Sequence, residues 1–303
     1  MFNWFGGKKQ EPAREKTDPS RTMEDTLIPT GRATDPKTLP ALQDTGPRMK
    51  FAHAQSTGMV RKNNQDVLMT VTITFEGDEK FPNFGLYLVA DGMGGHSQGE
   101  RASAVAARSV ANRVLQNIYL ELLVTPEDQS PIERAGEILK EALETANLNV
   151  IGAVPNGGTT MTAALLVDDT VILGHVGDSR AYLWDGSNLS KLTLDHSLVQ
   201  RLQDLGQITA DEASVHPQRN VLYRAVGQGE GLEVDVYKYA LEIGQRLILC
   251  SDGLWSMVDE RILTHLVLSN PNDMQAACKS MVQAANGAGG PDNITVVMVE
   301  RTR

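Results

Sequence analysis

Apolar positions along this chain recur with two different periods, and the switches between them mark its elements. Short runs rich in β-branched or aromatic residues predict strands at 84–90, 171–176, 246–250 and 293–299, with a further apolar run at 163–167. Asp168-Asp169 between two such runs, and Asp185-Gly186 after 180–184, suit two-residue hairpins, so neighbouring strands are read as antiparallel. Two longer stretches repeat at helical spacing instead. Ala102, Val105, Ala106, Val110, Val114 and Ile118 follow Ser97 and Glu100, a pair that makes a capping box. Ile132, Ala135, Leu139, Ala142, Leu143 and Ala146 follow Ser130, Pro131 and Glu133, with proline at the first helical position. A third helix takes Met274, Ala277, Cys278, Met281 and Val282, and a short one takes Leu198, Leu202 and Leu205. A helix with one apolar stripe must cover something, and antiparallel sheet is the available partner. The expected class is therefore α+β, a sheet sandwich with helices outside.

The pattern does not extend to the start of the chain. Residues 1–47 carry no sustained hydrophobic period and hold Pro12, Pro19, Pro29, Pro36, Pro40 and Pro47, so they are read as a disordered proline-rich tail. Within that tail Thr22, Thr26, Thr30 and Thr34 have two readings, targets of a partner kinase or ordinary linker composition. Its charges balance, so the formal charge of −10 of this 303-residue chain belongs to the remainder, 48–303. Net negative charge disfavours a general nucleic-acid or anionic-membrane surface and leaves proteins or small molecules as partners. Two cysteines, Cys250 and Cys278, are too few for a disulfide framework, which fits a reduced cytoplasm. Lys8 and Lys9 interrupt the opening apolar residues, so no secretory leader is expected. No apolar run approaches the ~18 residues of a membrane span.

Chemistry enters through five short acidic motifs: Asn64-Gln65-Asp66, Asp91-Gly92-Met93-Gly94-Gly95-His96, Gly177-Asp178-Ser179-Arg180, Ser251-Asp252-Gly253 and Gly290-Pro291-Asp292-Asn293. Any one such motif is ordinarily just a turn. Five of them next to strand ends can converge, and several carboxylates at one spot need a cation. The glycines after Asp91 let backbone carbonyls approach a ligand. They do not meet the Gly-x-Gly-x-x-Gly spacing of a dinucleotide loop, and Asp91 would repel a pyrophosphate. Arg61 supplies the opposite sign, in a fork suited to phosphate oxygens. Oxygen ligands without cysteine or paired histidines favour Mg²⁺ or Mn²⁺ over Zn²⁺.

The order and wording of these motifs, together with Gly157-Gly158-Thr159-Thr160, Asp195-His196 and Asp292-Asn293-Ile294-Thr295, resemble the metal-dependent protein phosphatases of the PPM family, or type 2C phosphatases. The resemblance covers about 49–300, and the Met-Gly-Gly-His wording is similar to the bacterial branch. It implies a four-layer αββα sandwich of two packed antiparallel sheets, a flap subdomain at about 195–226, and a binuclear Mn²⁺ or Mg²⁺ centre. By the same resemblance Asp91 bridges the two ions and the Gly92 carbonyl joins the second. Asp252 and Asp292 complete the first ion, Asp66 holds the second through its waters, and Asp178 with Asp252 matches a weaker third position. Arg61 matches the phosphate-binding arginine. The implied reaction is direct attack of a metal-activated water on a phosphoserine or phosphothreonine, without a phosphoenzyme.

Two positions depart from the family. Met93 stands where eukaryotic members carry a histidine as proton donor; His96 nearby is either its replacement or a structural group of the glycine loop. Gln65 stands where many relatives have glutamate, removing one negative charge beside the second ion. His196 is expected to make a structural hydrogen bond, and Arg201, Arg219 and Arg224 to face an acidic phosphopeptide or simply solvent. The expected setting is the cytoplasm, as a monomer opposing a serine/threonine kinase. Two other readings share the pattern: a catalytically silent phosphoprotein-binding module, and a stress-response phosphatase with one dedicated regulatory protein as substrate.

Overall fold

Two antiparallel sheets lie between two layers of helices in the computed structural model, which describes residues 48–75, 81–95, 97–124 and 131–302. The stretch 1–47, His96 and Ser130 fall outside the described residues. The first sheet orders β1 (Arg48–Ser56), β11 (Ile294–Thr302), β10 (Arg246–Cys250), β7 (Arg180–Trp184) and β8 (Leu189–Lys191). The second orders β2 (Asp66–Ile73), β3 (Phe84–Met93), β5 (Met161–Val167), β6 (Thr170–Val176) and β9 (Asp235–Ala240), with the short β4 (Gly158–Thr159) on the end of β3. Every pairing is antiparallel.

The four layers follow from the two-residue period of the strands. In β3, Phe84, Leu86, Leu88 and Ala90 face outwards to α1 (Ser97–Val114) and α3 (Ala135–Ala153), while Tyr87 and Val89 face the other sheet. In β11, Ile294, Val296 and Met298 face α7 (Glu260–Leu268) and α8 (Met274–Gly287), while Val297 and Val299 point inwards. Central strands buried on both faces therefore read as continuous apolar runs rather than alternating ones. The layer between the sheets is largely apolar around Tyr87, Leu166, Leu173 and Leu249, with the buried polar pair Thr162 and His175 towards one end. Truncating one of these, as in Leu173→Ala, is expected to cost about 2–5 kcal/mol.

The expected helices are present, with adjusted ends. Ser97 is the first residue of α1 rather than its cap, and the cap position, His96, is not described. Beyond Val114 the helix runs on as a π-turn, Leu115–Tyr119, in which the Leu120 N–H donates to the Leu115 carbonyl, and ends in a last short turn, α2 (Leu120–Leu122). Pro131 opens a 3₁₀ turn, Pro131–Arg134, and α3 starts only at Ala135. A tight entry turn suits proline, which has no N–H to place. Asp168-Asp169 does close a two-residue hairpin, with Val167 opposite Thr170 and Asp168 at φ 53. Asp185-Gly186 does not: Trp184 pairs with Leu189, so the loop has four residues. There the Asp185 carboxylate accepts from the N–H groups of Ser187 and Asn188, a side-chain turn that needs the extra length. Between β8 and β9 the chain forms α4 (Leu198–Asp204) and α5 (Ala210–Ser214), neither inserted in the main core.

Candidate metal centre

The acidic motifs gather at one end of the sandwich, where strands of both sheets stop. Asp66 opens β2 directly opposite Asp91 in β3, and Asp178 follows β6 after Gly177. From the first sheet, β10 ends at Cys250 and a one-turn helix, α6 (Asp252–Trp255), begins at Asp252, while Asp292 precedes β11. Cys250 pairs with Val296, so these two strand ends are adjacent. Asp91, Asp178, Asp252, Asp292, Arg61, Gln65, Gly92 and Met93 line a single cleft of about 200 Å³, joined by Thr160, Asn220 and Leu222.

Backbone is packed so tightly here that glycine is required. A Cβ on Gly92 would strike the Gly99 carbonyl oxygen, and one on Gly253 the Asn293 carbonyl oxygen. The Gly92 N–H donates to the Gln65 carbonyl at 3.2 Å, which the Ser103 hydroxyl also reaches at 2.7 Å. Asp91 is fixed by its main chain, its N–H donating to the Thr160 hydroxyl at 2.9 Å and its carbonyl accepting from the Thr159 hydroxyl at 2.9 Å. Its carboxylate is thus left to face the cleft. Asp66 lies deeper, and one of its oxygens accepts from the hydroxyls of Ser251 at 2.7 Å and Thr295 at 2.6 Å. Asn293 ties the arginine loop to this floor: its carbonyl oxygen accepts from Gln65 N–H at 2.8 Å, and its amide donates to the carbonyls of Thr57 and Asn63. Ser251, Thr295, Thr160 and Asn293 were absent from the sequence-based site, although all four stand inside its quoted motifs.

The electrostatics are one-sided. Burial pushes the carboxyl groups of Asp66, Asp91, Asp178 and Asp252 upwards, the hydroxyls of Thr295 and Ser251 pulling the other way at Asp66. Mutual repulsion adds to burial, from Asp66 and Asp252 on Asp91 and from Asp292 on Asp252. Among the described residues the single cation lining the cleft is Arg61, which donates to Asp292 at 2.7 Å and remains half exposed.

This chemistry fits a bound cation. The oxygens Asp66 Oδ1 and Asp252 Oδ1 are buried with no hydrogen-bond partner, an arrangement that costs several kcal/mol per charge unless something neutralises it. Among the described residues no group of three or more His, Cys, Asp or Glu side chains stands at ligating geometry. The carboxylates instead face one another across the cleft. The fit therefore rests on the donor set: all oxygen, hard, and surplus in negative charge, as Mn²⁺ or Mg²⁺ requires.

The remaining expected residues divide. Met93 lines the cleft, where its thioether sulfur accepts from the Gln228 amide at 3.2 Å and carries no proton to give. His96 lies outside the described residues. His196 is structural, as expected: its Nδ1 accepts from the Gly177 N–H at 3.0 Å, so Nε2 holds the proton and donates to Asp235 at 3.1 Å. Arg224 is not free for a phosphopeptide, since it is paired with Asp235 at 2.8 Å and Glu233 at 2.7 Å. Arg201 and Arg219 are exposed. A larger cleft of about 620 Å³, lined by Leu198, Arg201, Tyr223 and Leu232 among others, lies along the β8–β9 segment. It lacks the carboxylate cluster, and chemistry rather than volume locates the site.

Comparison with known proteins agrees with this geometry. The family model for protein phosphatase 2C matches residues 62–294. The chain is 35% identical over 250 residues to the serine/threonine phosphatase stp of Listeria innocua, covering 80% of this chain and 92% of that protein. Among solved structures, the S. agalactiae serine/threonine phosphatase superposes with a TM-score of 0.71 at 31% identity, covering 83% of this chain and 99% of that one. The catalytic domain of the serine/threonine protein phosphatase PstP, in complex with two manganese ions, gives 0.69 at 28% identity over 85% of this chain and 100% of that one.

Proposed function

This chain belongs to the protein phosphatase 2C family and is a metal-dependent protein-serine/threonine phosphatase using two Mn²⁺ or Mg²⁺ ions, and from that premise we propose how its own residues divide the work. Asp91 would hold both ions, with the Gly92 carbonyl on the second, Asp252 and Asp292 on the first, and Asp66 behind the second through water. Asp178 with Asp252 would form a weaker third position. When bound, the two ions supply charge neutralisation for the ester and an activated water nucleophile.

Everything else falls to the protein. Arg61, paired with Asp292 in the free protein, would let go of it and take two non-bridging oxygens of the phosphate, a fork geometry that also orients phosphorus. The observation that carries the reading is the pair of buried, unpartnered oxygens on Asp66 and Asp252, for which a cation is the simplest partner. Ser251 and Thr295 hold the other Asp66 oxygen, so this carboxylate presents only one oxygen forwards. Met93 cannot protonate a departing alkoxide, and His96 is retained as the donor to be tested. The segment 195–226 is proposed as the flap that selects substrate, since Asn220 and Leu222 overhang the cleft.

Phosphoprotein substrates follow from the family. The proposed biological setting is the cytoplasm, with the enzyme a monomer reversing a serine/threonine kinase. In support, the cysteines Cys250 and Cys278 are both free, and among the described residues no helix is long and apolar enough to cross a membrane. Hydrolysis of a phosphothreonine peptide is expected to stop with chelator, return with Mn²⁺, and be absent from Asp252→Asn. Activity that survives complete ion removal would refute the reading. Phosphoproteomic comparison of cells carrying the normal chain or Asp252→Asn names the substrates, and a single changed phosphosite would identify a dedicated regulatory partner instead.

A further inference from the structure

Of the motifs on either side of β7, the proposed site uses Asp178 and leaves Arg180, Asp195 and His196 without a task. In the structure these residues form a brace around the Gly177-Asp178 turn. The Asp178 carbonyl accepts from the Trp255 indole Nε1 at 2.9 Å. The Arg180 guanidinium lies over the Trp255 ring, 3.6 Å from its centroid. Arg180 cannot tilt away, because Nε reaches both Asp195 oxygens at 3.0 and 3.1 Å, Nη2 reaches Oδ2 at 2.7 Å, and Nη1 donates to the Tyr182 hydroxyl at 3.2 Å. His196, next in the chain, grips the other side of the turn. Its N–H donates to the Gly177 carbonyl at 2.7 Å, and its Nδ1 accepts from the Gly177 N–H.

The turn needs outside support. Gly177 sits at φ 109, and a Cβ there would press on Thr160, so no side chain of its own can fix the conformation. Trp255 closes the same helical turn that Asp252 opens. One rigid turn thus sends a carboxylate into the cleft and also holds the carbonyl of a second acidic residue. With all three nitrogens of Arg180 engaged and its side chain largely buried, the guanidinium is committed to this brace.

We propose that Trp255, clamped by the Arg180–Asp195 pair, is a positioning residue that sets the Asp178 carboxylate against Asp252. The inference rests on the reading of those two carboxylates as ion ligands. Groups that orient ligands in this way are worth about 10- to 100-fold in ion affinity or rate.

The test uses the full chain and three variants. Trp255→Phe keeps a ring beneath Arg180 and removes the indole N–H. Trp255→His restores an N–H on a smaller ring, and Arg180→Lys removes both fork and stack. Calorimetric titration with Mn²⁺ reads ion binding without turnover, thermal melting in chelator reads the fold, and kcat and KM on a phosphothreonine peptide read the chemistry. In Trp255→Phe the weakest Mn²⁺ step is expected to loosen about 10-fold, with kcat falling, KM steady and the melting midpoint kept. Arg180→Lys should follow in the same direction, and Trp255→His should recover part of the loss. A folded Trp255→Phe with unchanged Mn²⁺ binding and kcat overturns the inference and leaves the metal centre standing. A rise in KM alone for Arg180→Lys overturns it as well, making that arginine a substrate contact. Loss of the fold in all three variants assigns the brace to stability and likewise overturns it. If the unaltered protein binds no Mn²⁺, this inference and the reading it rests on fall together.

Discussion

Two groups of aspartates in this molecule are treated in opposite ways. At the base of the segment that overhangs the cleft, each acid has its cation. Asp195 pairs with Arg180 at 2.7 Å and Lys191 at 3.5 Å. Asp235 meets Arg224 and His196, and although burial pushes its carboxyl up, the hydrogen bond from His196 and its neighbours bring it below the ordinary range. At the cleft, Arg61 is the one basic side chain among the described lining residues and pairs with Asp292, Arg180 acts on Asp178 only from behind, and burial with mutual repulsion drives Asp66, Asp91, Asp178 and Asp252 upwards. Fixed, paired acids organise a fold, whereas fixed, unpaired acids at one point make sense only around a cation.

The contrast can be broken in several places. The largest effect is expected in the unpaired group: Asp252→Asn should lower kcat at least about 1,000-fold, roughly 4 kcal/mol of barrier, with the fold intact by circular dichroism. In the paired group the damage should be to stability. Asp195→Asn strands the guanidinium of Arg180 and is expected to cost about 3–4 kcal/mol in urea denaturation.

Next in size is a dependence on pH carried by His175. It is fully buried, with Nε2 donating to the Leu194 carbonyl at 3.0 Å and Nδ1 beside the Thr162 hydroxyl at 2.9 Å. Burial, and then the nearby His196, lowers it from 6.5 to about 4. The folded state thus refuses a proton that the unfolded chain accepts. Its stabilising share is complete above about pH 6.5 and is lost as pH falls towards 4, up to about 3 kcal/mol. Denaturation curves at pH 7 and 4.5 for the protein and for His175→Gln should converge as pH drops; parallel curves would dismiss the effect.

Arg61→Ala should raise KM and cost about 100-fold in kcat/KM, about 2.7 kcal/mol, with little change in melting because the pair with Asp292 is half exposed. The smallest effect sharpens the comparison most. In chelator, Asp252→Asn should melt above the unaltered protein, by about 1 kcal/mol of relieved repulsion, whereas Asp195→Asn melts below it. Equal signs for the two would erase the distinction between the groups.

Much of this was legible beforehand because strand and helix periods are local. The apolar runs around Leu86, Leu173, Leu249 and Val297 gave the strands, and the stripe through Ala106 and Val110 gave the helix above them. The two-residue hairpin expected at Asp185-Gly186 was misread because the Asp185 side chain, not the backbone, sets that loop. Arg224 looked available because its partners, Glu233 and Asp235, belong to a later part of the chain. The hydroxyls of Ser251 and Thr295 were in view as motif letters, but nothing local shows that both turn towards Asp66.

By itself, then, the sequence determined the inventory: which acids stand beside glycines at strand ends, where the apolar faces lie, and that the acidic excess belongs to 48–303. Their meeting was decided by tertiary structure alone. Antiparallel pairing sets Asp66 across from Asp91, and the packing of one sheet on the other brings Ser251 and Thr295 to Asp66 from 185 and 229 residues away. Only there does it emerge which acids receive a cation from the protein and which stay unpaired, because charge compensation depends on distance in space and burial, and neither is written in local order.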